Sequence, residues 1–531
     1  MRAALTGLLL CALSCSRPAA TAAPPGTVVI ALESAPAALD PRFTTDANSA
    51  LVADLVSDGL TAGDERGEPV PALAEWQHPS PLEWQFTLRA NVRFHDGTPL
   101  TAADVAATYR SVLDPTMGSP KREAFAAIAA IEAPDPLTVV FRLREVSASF
   151  LESTSLGIMP AHLAADGPIA PAAVVGSGPF RVAEILDGGG VELAAWRDAP
   201  DGAPRLARVR FRVVPDGVVR ALELANGSVH LVQNALDPDL LPWLAARPEL
   251  ELIISPGTTF QYLGLNLRDP RLADRRVRTA LAAGIDRNAI VRHVLRDTAT
   301  AATGLLPPAH WAYTGDVAQH PYDPARAAAL LERAGLGRAA SAAHRRFSYK
   351  TSTVELRRRI AEVFQHDLAG LGLGLDIRSY EWATFYDDIK RGNFELYALA
   401  WVGVRDPDIY FRMFHSTMQP PAGVNRGGYA SPAMDRLVAA ARATEDRAER
   451  RRLYAEVQRL AAEDLPIIPL WWAENVVVKS RTLRGFVPAP NGSLRSLATA
   501  TFAAPAPSTA VSSARGPAPA TTAWPPHSYF R

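Results

Sequence analysis

Two carboxylates on either side of Pro407 are the first candidates for chemistry in this sequence. Asp406 and Asp408 can act as a general acid and a general base, which is how many hydrolases use a pair of acids. A loop that follows a strand also uses aspartate for turns and caps, so two nearby acids alone are weak evidence of catalysis. We therefore do not expect this pair to be catalytic.

The sequence lacks the motifs that mark common catalytic and cofactor sites. It contains no P-loop, GxSxG, HExxH, CxxC or GxGxxG pattern. Its eleven histidines are scattered without metal-ligand spacing, and His95, which precedes a turn, is expected to be structural or exposed. The glycines of Gly370–Gly374 have the wrong spacing for a dinucleotide and are expected to end a helix and open a strand. We predict no enzymatic activity, no cofactor and no directly bound metal.

Charge and length restrict the function further. The 531 residues carry 55 Lys+Arg and 55 Asp+Glu, so the formal net charge is zero. Binding to nucleic acid needs a clustered basic surface, and we expect no such partner. A hydrophobic fraction of 48% with 21% charged residues is typical of a globular protein. A single core stops growing near about 250–300 residues, so two or three lobes are expected.

The N-terminal residues have the pattern of an export signal. Arg2 precedes the apolar stretch 3–13, which is too short to span a bilayer. The sequence Ala-Leu-Ser-Cys that ends at Cys15 resembles a lipobox, in which the cysteine is lipidated and becomes the new N-terminus. We predict a signal peptide of the lipoprotein type over residues 1–15, with a plain secretory signal as the alternative.

Segments of low complexity flank the body of the chain. Residues 16–26 are expected to be a tether, and residues 503–531, rich in Ala, Pro, Ser and Thr, are expected to be a disordered tail. Cys11 and Cys15 are the only cysteines, and both lie in the leader. The mature protein is therefore expected to have no disulfide and to depend on a large core for its stability.

The body of the chain begins with strand signals and then alternates helices with strands. Residues 27–32 predict a buried strand, and residues 82–95 predict two strands around a turn. Thr101 and Asp104 form a capping box that predicts a helix to about Leu113. Further strands are predicted at 137–143, 180–196, 208–214, 375–380, 394–401 and 467–472, and later helices start near Asp286, Asp323, Leu356, Thr384, Ser431 and Arg447. This alternation predicts an α/β fold with a mixed or parallel sheet.

Motif-like segments follow one another in a fixed order through this body. They are Trp84–Arg89 with Val92–Val105, Ser177–Phe180, Leu263–Asn266 with Arg276–Leu281 and Ile285–Arg287, Tyr322–Pro324 with Leu330–Gly335, and Trp401–Asp408. These segments and their order resemble the family 5 extracellular solute-binding proteins of ABC importers, the class that holds dipeptide-, oligopeptide- and nickel-binding proteins. Most of the matched motifs are structural, and the resemblance runs from about residue 27 to 485.

The resemblance implies a periplasmic-binding-protein-like α/β fold, in which two lobes close over a ligand by hinge motion. Its three domains would be a discontinuous domain I (27–56, 177–257 and 473–502), an inserted domain II (57–176), and domain III (258–472), which is the second ligand-binding lobe. The helix–strand alternation begins where domain III should begin, so the two observations agree.

The resemblance also implies where a ligand would bind. In peptide-binding relatives, an aspartate in the loop that corresponds to Trp401–Asp408 pairs with the α-amine of the ligand. The peptide backbone bonds to this loop and to the end of the first strand. The expected ligand-binding residues are Glu33, Ser34, Tyr262, Trp401, Gly403, Val404, Arg405 and Asp406. Core packing is the alternative for the two aromatic residues.

The loop differs from the peptide-binder pattern at its centre. It looks one residue shorter, and Val404 or Arg405 falls where the amine-binding aspartate is expected. An arginine repels an ammonium group and binds a carboxylate or phosphate instead, so we expect Arg405 to favour an anionic ligand. Asp406 would take over amine recognition if the loop is shifted. The alternative is an Arg405 that faces solvent or pairs with a neighbouring aspartate.

Together these observations predict the substrate-binding component of an ABC importer, with a peptide or peptide-like solute as its ligand. The expected partners are the ABC permease and ATPase subunits, and a membrane reached through the lipid anchor. The protein is expected to be a monomer in the bacterial cell envelope or periplasm. A nickel chelate, a sugar or another anion stays open as cargo, as does a ligand sensor or interaction protein without a transport role. A secreted hydrolase is disfavoured by the missing motifs.

Overall fold

A computed structural model of the protein describes residues 24–64, 68–165, 167–404 and 406–503. Its strands are β1 (Thr27–Leu32), β2 (Thr61–Gly63), β3 (Pro69–Pro71), β4 (Ala74–Ser80), β5 (Glu83–Leu88), β6 (Ile128–Asp135), β7 (Thr138–Leu143), β8 (Phe180–Ile185), β9 (Val191–Ala195), β10 (Arg208–Val213), β11 (Leu231–Gln233), β12 (Leu250–Leu265), β13 (Ala299–Ala301), β14 (Arg346–Ser352), β15 (Gly374–Tyr380), β16 (Leu396–Trp401), β17 (Ile467–Ser480), β18 (Leu483–Arg484) and β19 (Thr501–Phe502).

The α-helices of the same ranges differ widely in length, from single turns to the 18 residues of the longest. They are α1 (Ala47–Val56), α2 (Ala102–Leu113), α3 (Phe150–Ser153), α4 (Ala161–Ala164), α5 (Gly217–Ala225), α6 (Leu241–Ala245), α7 (Pro270–Ala273), α8 (Arg275–Gly284), α9 (Arg287–Ala289), α10 (Pro324–Arg333), α11 (Glu355–Gly370), α12 (Trp382–Lys390), α13 (Ile409–Phe414), α14 (Pro432–Arg442) and α15 (Arg447–Asp464). None of these helices is long and apolar enough to cross a membrane.

One large sheet of eleven strands runs through the molecule. Its order is β15-β14-β16-β12-β17-β11-β1-β10-β9-β8, with β13 paired to β17 beside this path. Strand β1 is parallel to β10 and β11, whereas β12 and β17 are antiparallel to each other. Every residue of β1 is buried, as expected for a strand that is covered on both faces. The predicted mixed α/β sheet is therefore confirmed.

Hydrophobic core clusters divide the described chain into three packed units. The clusters of unit I have their members within 28–56, 174–250 and 477–500. Unit II has one cluster, within 60–158. Unit III has two clusters, within 260–472. The chain therefore leaves unit I to build unit II, returns to unit I, and only then builds unit III.

Unit II is a four-stranded antiparallel sheet, in the order β4-β5-β7-β6, packed against α2. Burial alternates along β5, so Trp84, Phe86 and Leu88 point into the core. Helix α2 begins at the predicted capping box, where the backbone N–H of Thr101 donates to Asp104 Oδ2 at 2.8 Å. The predicted helix is confirmed, and it covers one face of the sheet.

Units I and III are joined through β12 and β17, which pass from one unit into the other. The two strands pair with each other from Leu250 opposite Ser480 to Gly264 opposite Ile467, with irregular pairing near Gly257. A Cβ at Gly257 would lie 2.3 Å from the carbonyl oxygen of Ala473, so only glycine fits this crossing. A two-stranded ribbon is thus the covalent link between these units.

Most predicted elements are confirmed, and one is wrong. Helix α11 ends at Gly370 and β15 begins at Gly374, as the glycine spacing predicted. The second strand predicted within 82–95 is absent from the described residues, where Arg93 and Pro99 form only an isolated bridge. The reason is the tight turn that follows, in which the N–H of Gly97 donates to the carbonyl oxygen of Phe94 at 2.9 Å.

Candidate functional site

A cavity of about 830 Å³ lies where the three units meet. Ligand pockets commonly have volumes of about 300–1,000 Å³. The lining comes mainly from residues 41–64, 149–157, 401–412 and 487–496, together with Lys121 and Arg442. Because these segments belong to different units, any movement of one unit against another changes the shape of the cavity.

The unit III wall is built on the end of β16. Trp401 is the last residue of this strand that pairs with β12, and the chain then leaves the sheet through Gly403, whose φ is +69°. Glycine adopts this left-handed conformation at little cost. Val404 is buried, and its N–H donates to the carbonyl oxygen of Thr258 at 3.3 Å. These contacts fix the main chain of residues 402–404 at the wall of the cavity.

Asp406 has a cationic partner inside unit III. Arg450 Nη2 lies 3.1 Å from each of its carboxylate oxygens. Asp406 Oδ1 also accepts a hydrogen bond from the backbone N–H of Asp408 at 2.7 Å. Arg450 in turn lies over the ring of Trp311, 5.2 Å from its centroid. The charge of Asp406 is therefore compensated without a ligand.

Asp408 lies where units II and III touch. Its carboxylate is 3.4 Å from Arg442 Nε and accepts a hydrogen bond from Ser149 Oγ of unit II at 3.3 Å. Burial raises the pKa of Asp408 above its usual value, although the charge of Arg442 acts to lower it. The buried carboxylate thus joins a unit III arginine to a unit II hydroxyl at the rim of the cavity.

The opposite wall, formed by units I and II, contains its own ion pairs. Asp58 pairs with Arg495 and accepts a hydrogen bond from Ser177 Oγ at 3.1 Å. Arg495 Nη1 also donates to the carbonyl oxygen of Asp54 at 2.7 Å. Burial acts to lower the pKa of Arg495, but the two neighbouring carboxylates outweigh it and raise that pKa. The charges of Asp58 and Arg495 on this wall therefore compensate each other.

Lys121 adds a second cation to this side of the cavity. Its Nζ donates to Thr44 Oγ1 at 2.8 Å. Burial lowers the pKa of Lys121 to about 8, while the charge of Asp40 acts in the opposite direction. Most of the lysine population still carries its proton at pH 7, because this value lies above neutrality.

Comparison with known proteins identifies the class. Residues 68–420 match the family described as bacterial extracellular solute-binding proteins, family 5 Middle. The chain belongs to family 5 of the bacterial extracellular solute-binding proteins. The resemblance found in the sequence motifs is confirmed, and the chain joins a class that works in the periplasm or outside the cell.

The matches to relatives of this family 5 chain extend over nearly all of its residues. Di/tripeptide-binding protein 2 of Pseudomonas aeruginosa strain UCBPP-PA14 is 28% identical over 494 residues, which are 87% of this chain and 92% of the relative. The oligopeptide-binding protein AppA of Bacillus subtilis, solved with a nonapeptide, has a TM-score of 0.82 at 24% identity and covers 90% of this chain and 99% of its own. NikZ of Campylobacter jejuni, solved with Ni(L-His), has a TM-score of 0.81 at 24% identity, with 90% and 100% covered. These structures confirm the predicted periplasmic-binding-protein-like fold.

Four residues predicted for the family 5 ligand site line the cavity. They are Trp401, Gly403, Val404 and Asp406. Arg405 stands between the last two in the sequence but lies outside the described residues, as does Cys15. Of the described residues in the predicted loop 401–408, all but Pro407 line the cavity.

The other predicted site residues lie elsewhere. Glu33 and Ser34 are exposed at the end of β1 and are not among the lining residues, and Ser34 Oγ accepts a hydrogen bond from Asn48 Nδ2 at 3.0 Å. Tyr262 is buried in the sheet, where its hydroxyl accepts a hydrogen bond from Arg426 Nη1 at 3.1 Å. Tyr262 is therefore a core residue behind the cavity wall.

Several charged residues of the cavity were not predicted from the sequence. They are Asp54, Asp58, Lys121, Arg412, Arg442 and Arg495. Apart from Asp54 and Asp58, they come from separate segments, so no local motif joins all six. Arg412 follows Asp408 by four positions, the spacing of one helical turn, and this is the local signal that it carries. Within the described residues no group of three or more His, Cys, Asp or Glu is arranged to hold a metal ion.

Proposed function

We propose that this chain captures peptides or peptide-like solutes in the cavity between units I, II and III and delivers them to the permease of an ABC importer. The observation that carries the proposal is the cavity itself, which is about 830 Å³ and takes its lining from all three units. The family supports it, because one relative is named for di- and tripeptide binding and the AppA structure holds a nonapeptide. A ligand between the units would favour the closed arrangement.

An extended peptide would lie along residues 402–404. The chain there has left the β16 ladder, borders the cavity, and leaves Val402 55% exposed. Every peptide backbone carries the same donors and acceptors, so pairing with main chain tolerates many side chains. Trp401 would pack against one of those side chains.

Arg405 follows this segment and remains our proposed contact for an anionic group. We expect Arg405→Ala to weaken binding of an acidic peptide by about 1.5–3 kcal/mol, the range for hydrogen bonds to charged groups. Titration calorimetry with the same peptide and both proteins measures the loss. Unchanged affinity would remove Arg405 from the site.

The three units would correspond to domains I, II and III with the boundaries predicted from the family motifs. The core clusters fall within those boundaries except for Val174, which packs with unit I. Bending of β12 and β17 would then open domain III away from domain I. Cysteine crosslinking across the cleft, tried with and without ligand, would detect such an opening.

Cys15 would carry the lipid that anchors the protein to a membrane, with residues 16–26 as the tether. Its resemblance to a lipobox supports this. Palmitate labelling of the wild type and of Cys15→Ser tests the anchor. Equal labelling of both proteins would contradict it and would favour a plain secretory signal.

Native mass spectrometry of residues 24–502, purified from the exported fraction without denaturation, tests the cargo. A retained series of peptide masses is the expected result. The same protein after unfolding, dialysis and refolding is the matched control, because it should be free of these masses. A retained chelate or sugar would replace the peptide proposal, and an empty protein would favour a role other than transport.

A further inference from the structure

Arg412 differs from Arg442 and Arg495, the other described arginines that line the cavity, because its side chain has no ion pair with the residues that the structure describes. It lies on α13, and its partly buried side chain lines the cavity. With the residues that the structure describes, its guanidinium forms neither a hydrogen bond nor an ion pair. The carboxylate that acts on it, Asp408, is already engaged by Arg442 and Ser149. A guanidinium carries five N–H donors, and leaving them unpaired in a partly buried position costs free energy.

The surroundings of Arg412 add positive charge. Arg442 and Arg426 both act on it electrostatically. Arg426 donates to the hydroxyls of Tyr262 and Tyr386, each at 3.1 Å, and forms no ion pair with the part of the chain that the structure describes. Among the described residues, Asp408 is the carboxylate that acts on Arg412, and it is set against these two arginines, so positive charge is in excess around the Arg412 guanidinium. Burial and these neighbours lower the pKa of Arg412, which shows that its charge is held at a cost.

We propose that Arg412 receives a carboxylate of the bound solute. The inference rests on the proposed function and narrows its substrate class to peptides that present a carboxylate to the unit III wall. A carboxylate suits this place because it binds a guanidinium through two parallel hydrogen bonds and offsets the excess charge. The carboxylate has two sources in a peptide, the C-terminus and the side chain of Asp or Glu.

A competition experiment separates these two sources. The mature protein is mixed with random di- and tripeptides, supplied both as free acids and as C-terminal amides, and the bound species are counted by native mass spectrometry. Enrichment of free acids assigns Arg412 to the C-terminus, and enrichment of Asp or Glu over Asn or Gln among the amides assigns it to a side chain. We expect about 10- to 100-fold enrichment for the wild type, which is the factor in affinity that one hydrogen bond to a charged group supplies.

The variants decide whether Arg412 causes the enrichment. Arg412→Gln should reduce the enrichment about tenfold, independently of any contribution from Arg405, while binding of amides without acidic side chains stays unchanged. Arg412→Lys keeps the charge but loses the paired donors, so an intermediate enrichment is expected, and this variant carries the test if Arg412→Gln does not fold. Arg436→Gln removes the same charge from an exposed position on α14 and should change nothing.

Each contrary result has one meaning. If Arg412→Gln keeps the wild-type enrichment, or if the wild type shows none, the inference is wrong while peptide capture stands. If the wild type retains no peptide from the mixture, the proposed function itself fails.

Discussion

The junction between units I and II and the contact between units II and III are built in opposite ways. At the first, glycines bring together the two segments of main chain that connect the units, 55–59 and 155–178, and a Cβ added there would lie 2.1–2.6 Å from an atom of the facing segment. These glycines are Gly59, Gly157, Gly176 and Gly178. Such close approach leaves no room for the segments to slide, because protein interiors are close-packed.

Buried polar groups lock the same junction. His95 Nδ1 accepts a hydrogen bond from the N–H of Gly176 at 3.3 Å, and its Nε2 lies 3.0 Å from the carbonyl oxygen of Gly178. This pairing requires the neutral ring with its proton on Nε2. The structural role expected for His95 from the sequence agrees with this geometry, since both nitrogens are used within the junction.

The contact between units II and III consists of a few separate bonds. The N–H of Ala148 donates to the carbonyl oxygen of Arg442 at 3.2 Å, and His78 Nε2 lies 3.2 Å from Glu445 Oε1. Arg447 Nη1 donates to Glu68 Oε2 at 3.0 Å, in an ion pair whose side chains are 59% and 30% exposed. Exposed pairs contribute little to stability. We infer that units I and II move as one body and that the cavity opens by separation of unit III.

The largest expected effect comes from adding one methyl group to the tight junction. The Cβ of Gly176→Ala would lie 2.1 Å from the carbonyl oxygen of Val56, a backbone atom that cannot turn away. We expect a loss of about 3 kcal/mol in the free energy of unfolding, the upper part of the range for overpacking. Urea denaturation followed by tryptophan fluorescence measures it.

Gly167→Ala is the matched control, because a Cβ there meets nothing within 4 Å. It should change the free energy of unfolding by less than about 0.5 kcal/mol. If the two substitutions cost the same, the junction is able to shift, and the contrast between the two interfaces is lost.

Acid should weaken the same junction through His95. Burial lowers the pKa of His95 in the folded protein to about 4, whereas the unfolded chain takes up the proton near its ordinary value of 6.5. Between pH 6.5 and 4 the unfolded state binds more protons, so stability falls as the pH falls through this window. At pH 5 the loss is about 2 kcal/mol relative to pH 8.

The His95→Gln variant isolates this contribution. An amide still offers one donor and one acceptor but does not titrate, so the stability difference between wild type and variant should shrink as the pH is lowered from 8 to 5. His366→Gln, at an exposed position of α11, is the control and should show no such trend. A difference that stays constant with pH would mean that His95 is not buried as a neutral ring.

Local signals were sufficient for many elements of the fold. Asp323 followed by Pro324 predicted the start of α10, and the Asp323 side chain does accept from the N–H of Arg326 at 2.8 Å. Strand β12 was not predicted, and Pro256 and Gly257 interrupt the pattern of its residues. Only pairing with β17 across the sheet keeps the strand continuous.

The candidate site was predicted in part, and for a physical reason. The loop around Trp401 carries a motif, so sequence alone was enough to select it. The carboxylate of Asp58 and the guanidinium of Arg495 meet across 437 positions of the chain, and no local pattern records a pair of that kind. Whether the Arg412 side chain has a partner depends on all of its neighbours in the folded protein. A local sequence pattern therefore does not predict it.

The smallest expected effect is on the contact between units II and III. Because the Arg447–Glu68 pair is exposed, we expect Arg447→Ala to change the free energy of unfolding by about 0.2–1 kcal/mol.

The same small loss should shift the ligand-free protein toward the open arrangement, because the bond exists only when the units touch. Cys11 and Cys15 are the only cysteines of the sequence, so in a protein of residues 24–502 cysteines introduced at the exposed positions of Glu75 and Arg436 accept a dye pair for single-molecule energy transfer. Arg452→Ala breaks ion pairs of similar exposure within α15 and should leave the distance unchanged. An equal shift in both variants would show that the contact does not control opening.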